Sequence, residues 1–299
     1  MNSWRKGTKK QYNVYINKYF LFCTNHGLND EINVRNTLQF LTHLYNNNLS
    51  YSAINIARSA ISALSGEKEI GNNYHVRRLM KGIFNGRPSL PKYNTTWNPD
   101  LVLNFLKTWH PCKSLKFIQL SMKVSTLLLL LSGRRGQDII DIDVRNIHIC
   151  EDEIHITSAV LAKNTSPKFH PPPMVFKKFG NDNLCIWHYL SHYIEITKQF
   201  RKAEGPHQLL LTTTSPHRPI SRDTLGRWIK HIMKKSNVDT TKFSPHSTRS
   251  AVTSKLKKTI SISTIIKSVG WKSDSVFNKY YNLNQEANEG LSRSLLQDL

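Results

Sequence analysis

The sequence predicts a mainly α-helical protein with a small antiparallel β-sheet, arranged in two domains. Three observations indicate this fold class. Apolar residues recur at the helical period over most of the chain. Short alternating runs broken by turn residues are confined to residues 144–179. A segment with three prolines and no apolar periodicity, residues 85–100, separates an all-helical part from a mixed part.

The first domain, residues 1–88, is expected to consist of helices, and a linker at 89–97 follows it. Ser50 or Ser52 is expected to cap the third helix, because a Ser side chain can accept a hydrogen bond from a free backbone N–H at a helix start. The helical segments are TKKQYNVYINKYFLFCTNHG (8–27), VRNTLQFLTHLYNN (34–47), SYSAINIARSAISALSG (50–66) and HVRRLMKGIF (75–84).

The second domain, residues 98–299, is expected to combine helices with the sheet. A strongly apolar helix, LKFIQLSMKVSTLLLLLSG (115–133), precedes the strands. The strands are IHI (147–149), EIHIT (153–157) and PMVF (173–176). The later helices are LCIWHYLSHYIEITKQFRKA (184–203), TLGRWIKHIMKKS (224–236), STRSAVTSKLKK (247–258) and SISTIIKSVG (261–270).

The charge of the chain predicts a polyanionic partner. Lys and Arg number 42 against 20 Asp and Glu, which gives a formal net charge of +22. Nucleic acid is the first candidate and an anionic membrane surface the second. No apolar run approaches the length of a membrane span and no signal peptide opens the chain, so we expect no membrane association. Solvated Lys-rich faces are the alternative interpretation of the charge.

The cysteines predict a reduced, intracellular protein, because they are scattered without CxxC spacing. Cys185, His188 and His192 have a spacing that can hold zinc on a helix. We interpret them instead as one half-buried helix face and expect no metal.

The stretch SGRRGQDIIDI (132–142) places two arginines where an apolar helix ends at Gly133. Arg134 and Arg135 each offer a planar fork that suits phosphate. Asp138, three residues after Arg135, is placed to hold that guanidinium. A basic surface turn would explain the same residues.

The stretch FSPHSTRSAVTSKL (243–256) begins a helix at Ser244 and Pro245. His246 and Arg249 are three residues apart and share one helix face. A His and an Arg at a helix N-terminus are suited to binding phosphate. The alternative is a capping His beside a solvated Arg.

The stretch GWKSDSVFNKYYNL (270–283) holds one tryptophan and two adjacent tyrosines. Trp271 can donate one indole hydrogen bond, and a tyrosine can act as a nucleophile in a positive field. Tyr280 falls on the apolar stripe of this run, whereas Tyr281 lies about 100° around the helix, at the edge of the stripe.

The order of these motifs, over nearly the whole chain, resembles the tyrosine recombinase (phage integrase-like) family. The similarity is closest to recombinases of eukaryotic mobile elements related to DIRS-type retroelements and Cryptons. The resemblance implies a helical core-binding (SAM-like) domain at 1–88 and an α+β catalytic domain at 98–299, which together form a C-clamp around DNA.

The resemblance also implies the site. Trp271 stands where most relatives have His, and Lys163 matches a lysine in a mobile β-hairpin, with Lys168 as the alternative. Most of the family has its nucleophile nine residues after the His/Trp position, which is Tyr280. The mobile-element subgroup has it ten residues after, so we favour Tyr281. The implied catalytic set is Tyr281 (or Tyr280), Arg135, Lys163, His246, Arg249 and Trp271, supported by Asp138.

The activity implied by the resemblance is site-specific DNA recombination through a 3′-phosphotyrosine, with no cofactor, on double-stranded DNA. A tail ending in Leu291, Leu295, Leu296 and Leu299 is expected to join protomers into dimers or tetramers, or else to cap its own chain. A nuclear location is expected if the host is eukaryotic. The residues expected to bind DNA are Arg5, Lys6, Lys9, Arg58, Arg77, Arg78, Arg134, Arg227 and Lys230.

Two other functions remain open at the level of sequence. A type IB topoisomerase uses similar residues, but the helical first domain favours the recombinase. A non-catalytic, domesticated DNA-binding protein would be expected to have lost catalytic residues, whereas every position here holds a chemically competent one.

Overall fold

The computed structural model describes residues 4–65, 69–90, 93–158, 160–201 and 207–272. The chain divides into two compact units, Met1–Lys92 and Tyr93–Leu299. Over the described residues the architecture is mostly helical with one small antiparallel sheet, which confirms the expected fold class.

The first unit is all-helical over its described residues. Its core is built from one face of each long helix and includes Tyr19, Phe40, Ile54 and Val76, each almost fully buried. Ser50, one of the two expected caps, accepts a hydrogen bond from Ala53 N–H at 3.3 Å. The helices are α1 (Lys6–Asn25), α2 (Val34–Asn46), α3 (Tyr51–Leu64), α4 (Glu69–Asn72) and α5 (Tyr74–Gly86).

The second unit contains helices around a central apolar helix, α7. Because α7 is apolar nearly all round, it is buried by neighbours on several sides, and it packs against α9, α10 and α11. The helices are α6 (Asp100–Lys107), α7 (Phe117–Ser132), α8 (Gly136–Ile140), α9 (Ile186–Thr197), α10 (Arg222–Lys235), α11 (Thr248–Leu256) and α12 (Ile262–Val269). The short α4, α6 and α8 were not expected from the sequence.

One charged residue lies within the apolar face of α7. Lys123 is fully buried, and its ammonium donates to the carbonyls of Leu106, Trp109 and Asn183 at 2.7 to 2.8 Å. It also lies 3.7 Å from the centroid of the Tyr189 ring. Burial lowers the pKa of Lys123 to about 7. The lysine thus joins the end of α6 and the chain before α9 to the central helix.

The sheet consists, in the described residues, of β1 (Ile147–Ile149), β2 (Glu153–Ile156) and β3 (Met174–Lys177), in that order and antiparallel. Ile154 and Phe176 face each other across β2 and β3 and are buried in the core of the second unit. The sheet therefore supports the long loop between β2 and β3. A membrane-crossing helix is absent from the described residues, since none combines sufficient length with sufficient hydropathy.

Candidate active site

A cleft of about 890 Å³ opens in the second unit, bordered by α8, α10, the loop after β2 and the segment that leads into α11. Among the described residues its lining holds seven Arg and Lys side chains against three Asp, so the cleft is positively charged and suited to an anion. The cations are Arg134, Arg135, Lys163, Arg222, Arg227, Lys230 and Arg249.

Arg135 is positioned by the chain turn that ends α7. Gly133 has a φ of 59°, a left-handed conformation that terminates the helix and directs the next residues toward the cleft. Asp138 accepts a hydrogen bond from the Arg135 backbone N–H at 3.1 Å, as an acid at the third position of a helix often does. Asp138 therefore fixes the backbone of Arg135, whereas the spacing had suggested a contact with its guanidinium.

The guanidinium of Arg135 instead contacts the loop after β2. Its Nη1 donates to Asn164 Oδ1 at 3.2 Å. Lys163, the residue before Asn164, is exposed in a turn and lines the cleft. Lys168, in the same loop, is not among the described residues that line it. The structure thus brings Lys163 and Arg135 to the same cleft.

His246 lies in a 3-10 turn, Pro245–Ser247, that leads into α11. Its ring is exposed at the cleft wall. Partial desolvation lowers the pKa of His246, and the positive charges of Arg249, Arg222, Arg135 and Lys163 lower it further. The imidazole is therefore kept neutral to a lower pH than usual, which suits a proton acceptor.

Arg249 and Trp271 lie against each other beneath the cleft. Arg249 is 2% exposed, its Nη2 is 3.4 Å from the carbonyl oxygen of Val269, and its guanidinium carbon lies 4.7 Å from the Trp271 ring centroid. Trp271 is 3% exposed and follows Gly270, whose φ of 71° ends α12. A buried arginine at the floor of an open cleft is well placed to bind phosphate, because low polarity strengthens the interaction.

Arg134, which was expected from the sequence to bind DNA, lines the cleft and also makes contacts within the chain. Its side chain is 5% exposed, and its Nη2 donates to the carbonyl of Pro172 at 2.6 Å. It crosses directly over Gly270, where any Cβ would collide with Nη1. Arg134 therefore ties the chain before β3 to the end of α12.

Helix α10 presents a basic face to the cleft. Arg222, Arg227 and Lys230 are exposed and line it. Arg227 and Lys230 were expected from the sequence and Arg222 was not. The sequence signal that could have located Arg222 is Ser221, a residue type that favours the start of a helix. In the structure Ser221 accepts a hydrogen bond from Thr224 N–H and caps α10, so Arg222 is the first residue of that helix.

The DNA-binding residues expected in the first unit are exposed, with one exception. Arg58 is half-buried, and its Nη1 lies 3.4 Å from the carbonyl of Gly71. The Nη1 of Arg78 donates to the Tyr74 hydroxyl at 2.9 Å. The exposed members are Arg5, Lys6, Lys9, Arg77 and Arg78.

Two sets of expected residues lie outside the described residues. They are the candidate nucleophiles, Tyr280 and Tyr281, and the leucines of the tail, Leu291, Leu295, Leu296 and Leu299.

Two of the three residues with zinc-like spacing, Cys185 and His188, have other partners. Cys185 is buried and accepts a hydrogen bond from Phe179 N–H at 3.2 Å. His188 pairs with Asp182 at 2.9 Å. Within the described ranges, no group of three or more His, Cys, Asp or Glu residues is arranged to hold a metal ion.

The sequence profile of the phage integrase family matches residues 100–287, which is more than half of the chain and includes every residue of the cleft. The chain belongs to the phage integrase family. A comparison with curated proteins finds no matching sequence.

Solved structures of integrases and recombinases share the fold of this integrase-family chain. A lambda integrase dimer bound to a COC′ core site is 16% identical, with a TM-score of 0.57 over 96% of this chain and 92% of that one. The Tn1549 transposon integrase in complex with transposon right-end DNA is 14% identical, with a TM-score of 0.63 over 100% of this chain and 95% of that one. The XerH site-specific recombinase on its difH substrate is 12% identical, with a TM-score of 0.58 over 90% and 74%.

Proposed function

We propose that this protein is a site-specific DNA recombinase that cleaves and rejoins DNA strands through a 3′-phosphotyrosine intermediate and serves a mobile element. The observation that supports this most strongly is the cleft itself. Three separate parts of the chain border one positively charged cavity: they carry Arg135, Lys163, and the pair His246 and Arg249, with Trp271 packed on Arg249. Such convergence is expected of a site for phosphoryl transfer.

Each group has a role that its chemistry permits. The tyrosine oxygen attacks the scissile phosphorus while the bond from phosphorus to the 5′ oxygen breaks. Arg135, Arg249 and the indole of Trp271 stabilise the additional negative charge of the transition state, which is usually the largest catalytic contribution. His246 accepts the tyrosine proton, and Lys163 donates a proton to the departing 5′ oxygen.

The reaction is reversible because the phosphotyrosine bond conserves the energy of the phosphodiester. A 5′-hydroxyl from another strand can attack the intermediate, release the tyrosine and complete recombination, so no ATP is consumed. We assign the nucleophile to Tyr281, with Tyr280 as the alternative.

We assign DNA binding to the first unit and catalysis to the second. The solved neighbours include a lambda integrase dimer on a core site and a tetramer on a Holliday junction. We therefore propose that this chain also forms dimers or tetramers on DNA through its C-terminal tail. The mobile element is proposed to be of the DIRS or Crypton type, with the protein acting in the nucleus if its host is eukaryotic.

The function is tested by offering the protein two kinds of DNA. The first is a pair of labelled duplexes from the DNA flanking the gene, one carrying a free 5′-hydroxyl, and the second is a supercoiled plasmid. Arg249→Ala is assayed in parallel, because a neutral side chain cannot stabilise the transition state at that position.

A recombinase is expected to join strands between the two duplexes, and Arg249→Ala should lose about 10²-fold or more in rate. Relaxation of the plasmid with no joining would instead indicate a topoisomerase. Binding of both DNAs with neither reaction would indicate a non-catalytic DNA-binding protein.

A further inference from the structure

Two aromatic residues at the start of the second unit hydrogen-bond to the segment that carries His246. The indole Nε1 of Trp97 donates to Ser247 Oγ at 2.8 Å, and Trp97 is 5% exposed. The hydroxyl of Tyr93 accepts from Ser244 N–H at 3.2 Å and lies 2.9 Å from Ser244 Oγ. Both aromatic residues belong to the stretch 89–97 that the sequence suggested as a linker.

The contacts made by Tyr93 and Trp97 lie on either side of His246, at the two ends of the four-residue segment Ser244–Ser247. Ser244 precedes it by two positions and Ser247 follows it by one, and Ser247 Oγ also donates to the carbonyl of Ser244 at 2.7 Å. The Tyr93 ring packs on Phe243, with the ring centroids 5.6 Å apart. The backbone around His246 is therefore fixed at both ends by side chains distant in sequence.

The ring of His246 has no comparable anchor of its own. Within the described residues it makes no hydrogen bond, so the position of its backbone decides where the imidazole lies in the cleft. A shift of about 1 Å in a catalytic group can cost about 10²-fold in rate. The contacts made by Tyr93 and Trp97 thus matter for the imidazole even though neither side chain lines the cleft.

We propose that Tyr93 and Trp97 are positioning residues, which hold the Ser244–Ser247 segment so that His246 faces the scissile phosphate. The catalytic consequence rests on the proposed recombinase function. The positioning itself does not, and it can be measured separately.

The pKa of His246 depends on where its imidazole lies, because it is set by the burial of the ring and by the charges around it. It faces Arg249 on α11, Arg222 on α10, Arg135 before α8 and Lys163 in the loop after β2. The acidic groups that line the same cleft are Asp138, Asp141 and Asp223. Desolvation and the four cations lower the pKa of His246, so release of the segment toward solvent should raise it.

The test uses the full chain with Tyr93→Phe, which removes the hydroxyl that contacts Ser244, and Trp97→Phe, which removes the hydrogen bond to Ser247; each variant retains an aromatic ring. The His246 titration is followed by NMR of labelled histidine, assigned with His246→Gln. The matched control is Trp109→Phe, because Trp109 packs on Phe105 and does not line the cleft. Cleavage rate and DNA affinity are measured on the same proteins.

We expect both variants to raise the pKa of His246 and to slow cleavage about tenfold with DNA affinity retained, because no cation is removed. Trp109→Phe should change neither quantity. An unchanged His246 pKa in both folded variants overturns the inference, whatever the cleavage assay shows. If the wild type does not cleave DNA, the proposed function fails and the titration alone decides the inference.

Discussion

At the residue scale, Asn164 joins Arg135, the loop after β2 and the end of α12 through one side-chain amide. Its Oδ1 accepts from Arg135 Nη1, and its Nδ2 donates to the carbonyl of Gly270, next to Trp271. Because Asn164 directly follows Lys163, the same amide fixes the turn that presents the lysine.

We expect Asn164→Ala to slow cleavage about tenfold by releasing both Arg135 and the turn. Asn164→Asp should slow it more, because the carboxylate retains the contact with Arg135 but adds negative charge beside the phosphate. The measurement is single-turnover cleavage at saturating protein. Asn146→Ala, outside the cleft, is the control. Equal rates for all three variants would contradict this role for Asn164.

Arg222 provides a pH test of the cleft. Desolvation and neighbouring cations, Arg222 among them, lower the pKa of His246. If neutral His246 accepts the tyrosine proton, the rate falls as pH drops through that pKa. Arg222→Gln removes one cation, so the pKa rises and the acidic limb of the pH–rate profile moves to higher pH. Arg227→Gln removes the same charge from the same cleft without being one of the groups that lower this pKa, and it should leave the limb in place.

The sequence predicted which residues take part in the proposed reaction, because Arg135, His246 and Arg249 stand in recognisable motifs. It could not identify the residues that hold them. Tyr93 and Trp97 lie about 150 positions before their partners, Ser244 and Ser247, and no local pattern connects such distant residues. Arg134 illustrates the reverse case, since its motif does not reveal that its side chain is 5% exposed and bonded to Pro172.

At the scale of elements, the central helix α7 depends on Lys123. We expect Lys123→Met to destabilise the second unit by about 2 kcal/mol, because the carbonyls of Leu106, Trp109 and Asn183 would each lose a hydrogen-bond donor. The change in the free energy of unfolding is measured by urea denaturation. Lys107→Met replaces an exposed lysine on α6 and should stay within about 0.5 kcal/mol of wild type. A Lys123→Met protein as stable as wild type would contradict this account of α7.

The elements that the sequence predicted are those with strong periodicity. The long helices and the strands of the sheet appear where expected because their apolar pattern is continuous. Helices α4, α6 and α8 were missed because they are too short for a period to be recognised, with 4, 8 and 5 residues.

At the scale of the whole molecule, the charge of +22 and the basic cleft predict binding governed by phosphate contacts. We expect DNA affinity to fall about 10³-fold or more between 50 and 200 mM salt. Lys230→Gln should reduce the slope of log affinity against log salt by about 1. The measurement is fluorescence anisotropy with a labelled duplex. A slope that stays at the wild-type value would place Lys230 away from the DNA.

The central claim is that a tyrosine of this chain becomes covalently joined to a DNA 3′-phosphate in the cleft. The most direct measurement is trapping on a nicked suicide duplex, followed by a denaturing gel and peptide mapping, for wild type, Tyr281→Phe and Tyr280→Phe. We predict an adduct for wild type and Tyr280→Phe and none for Tyr281→Phe. Loss only in Tyr280→Phe would move the nucleophile by one residue. No adduct from wild type, on a duplex shown to bind, would contradict the claim.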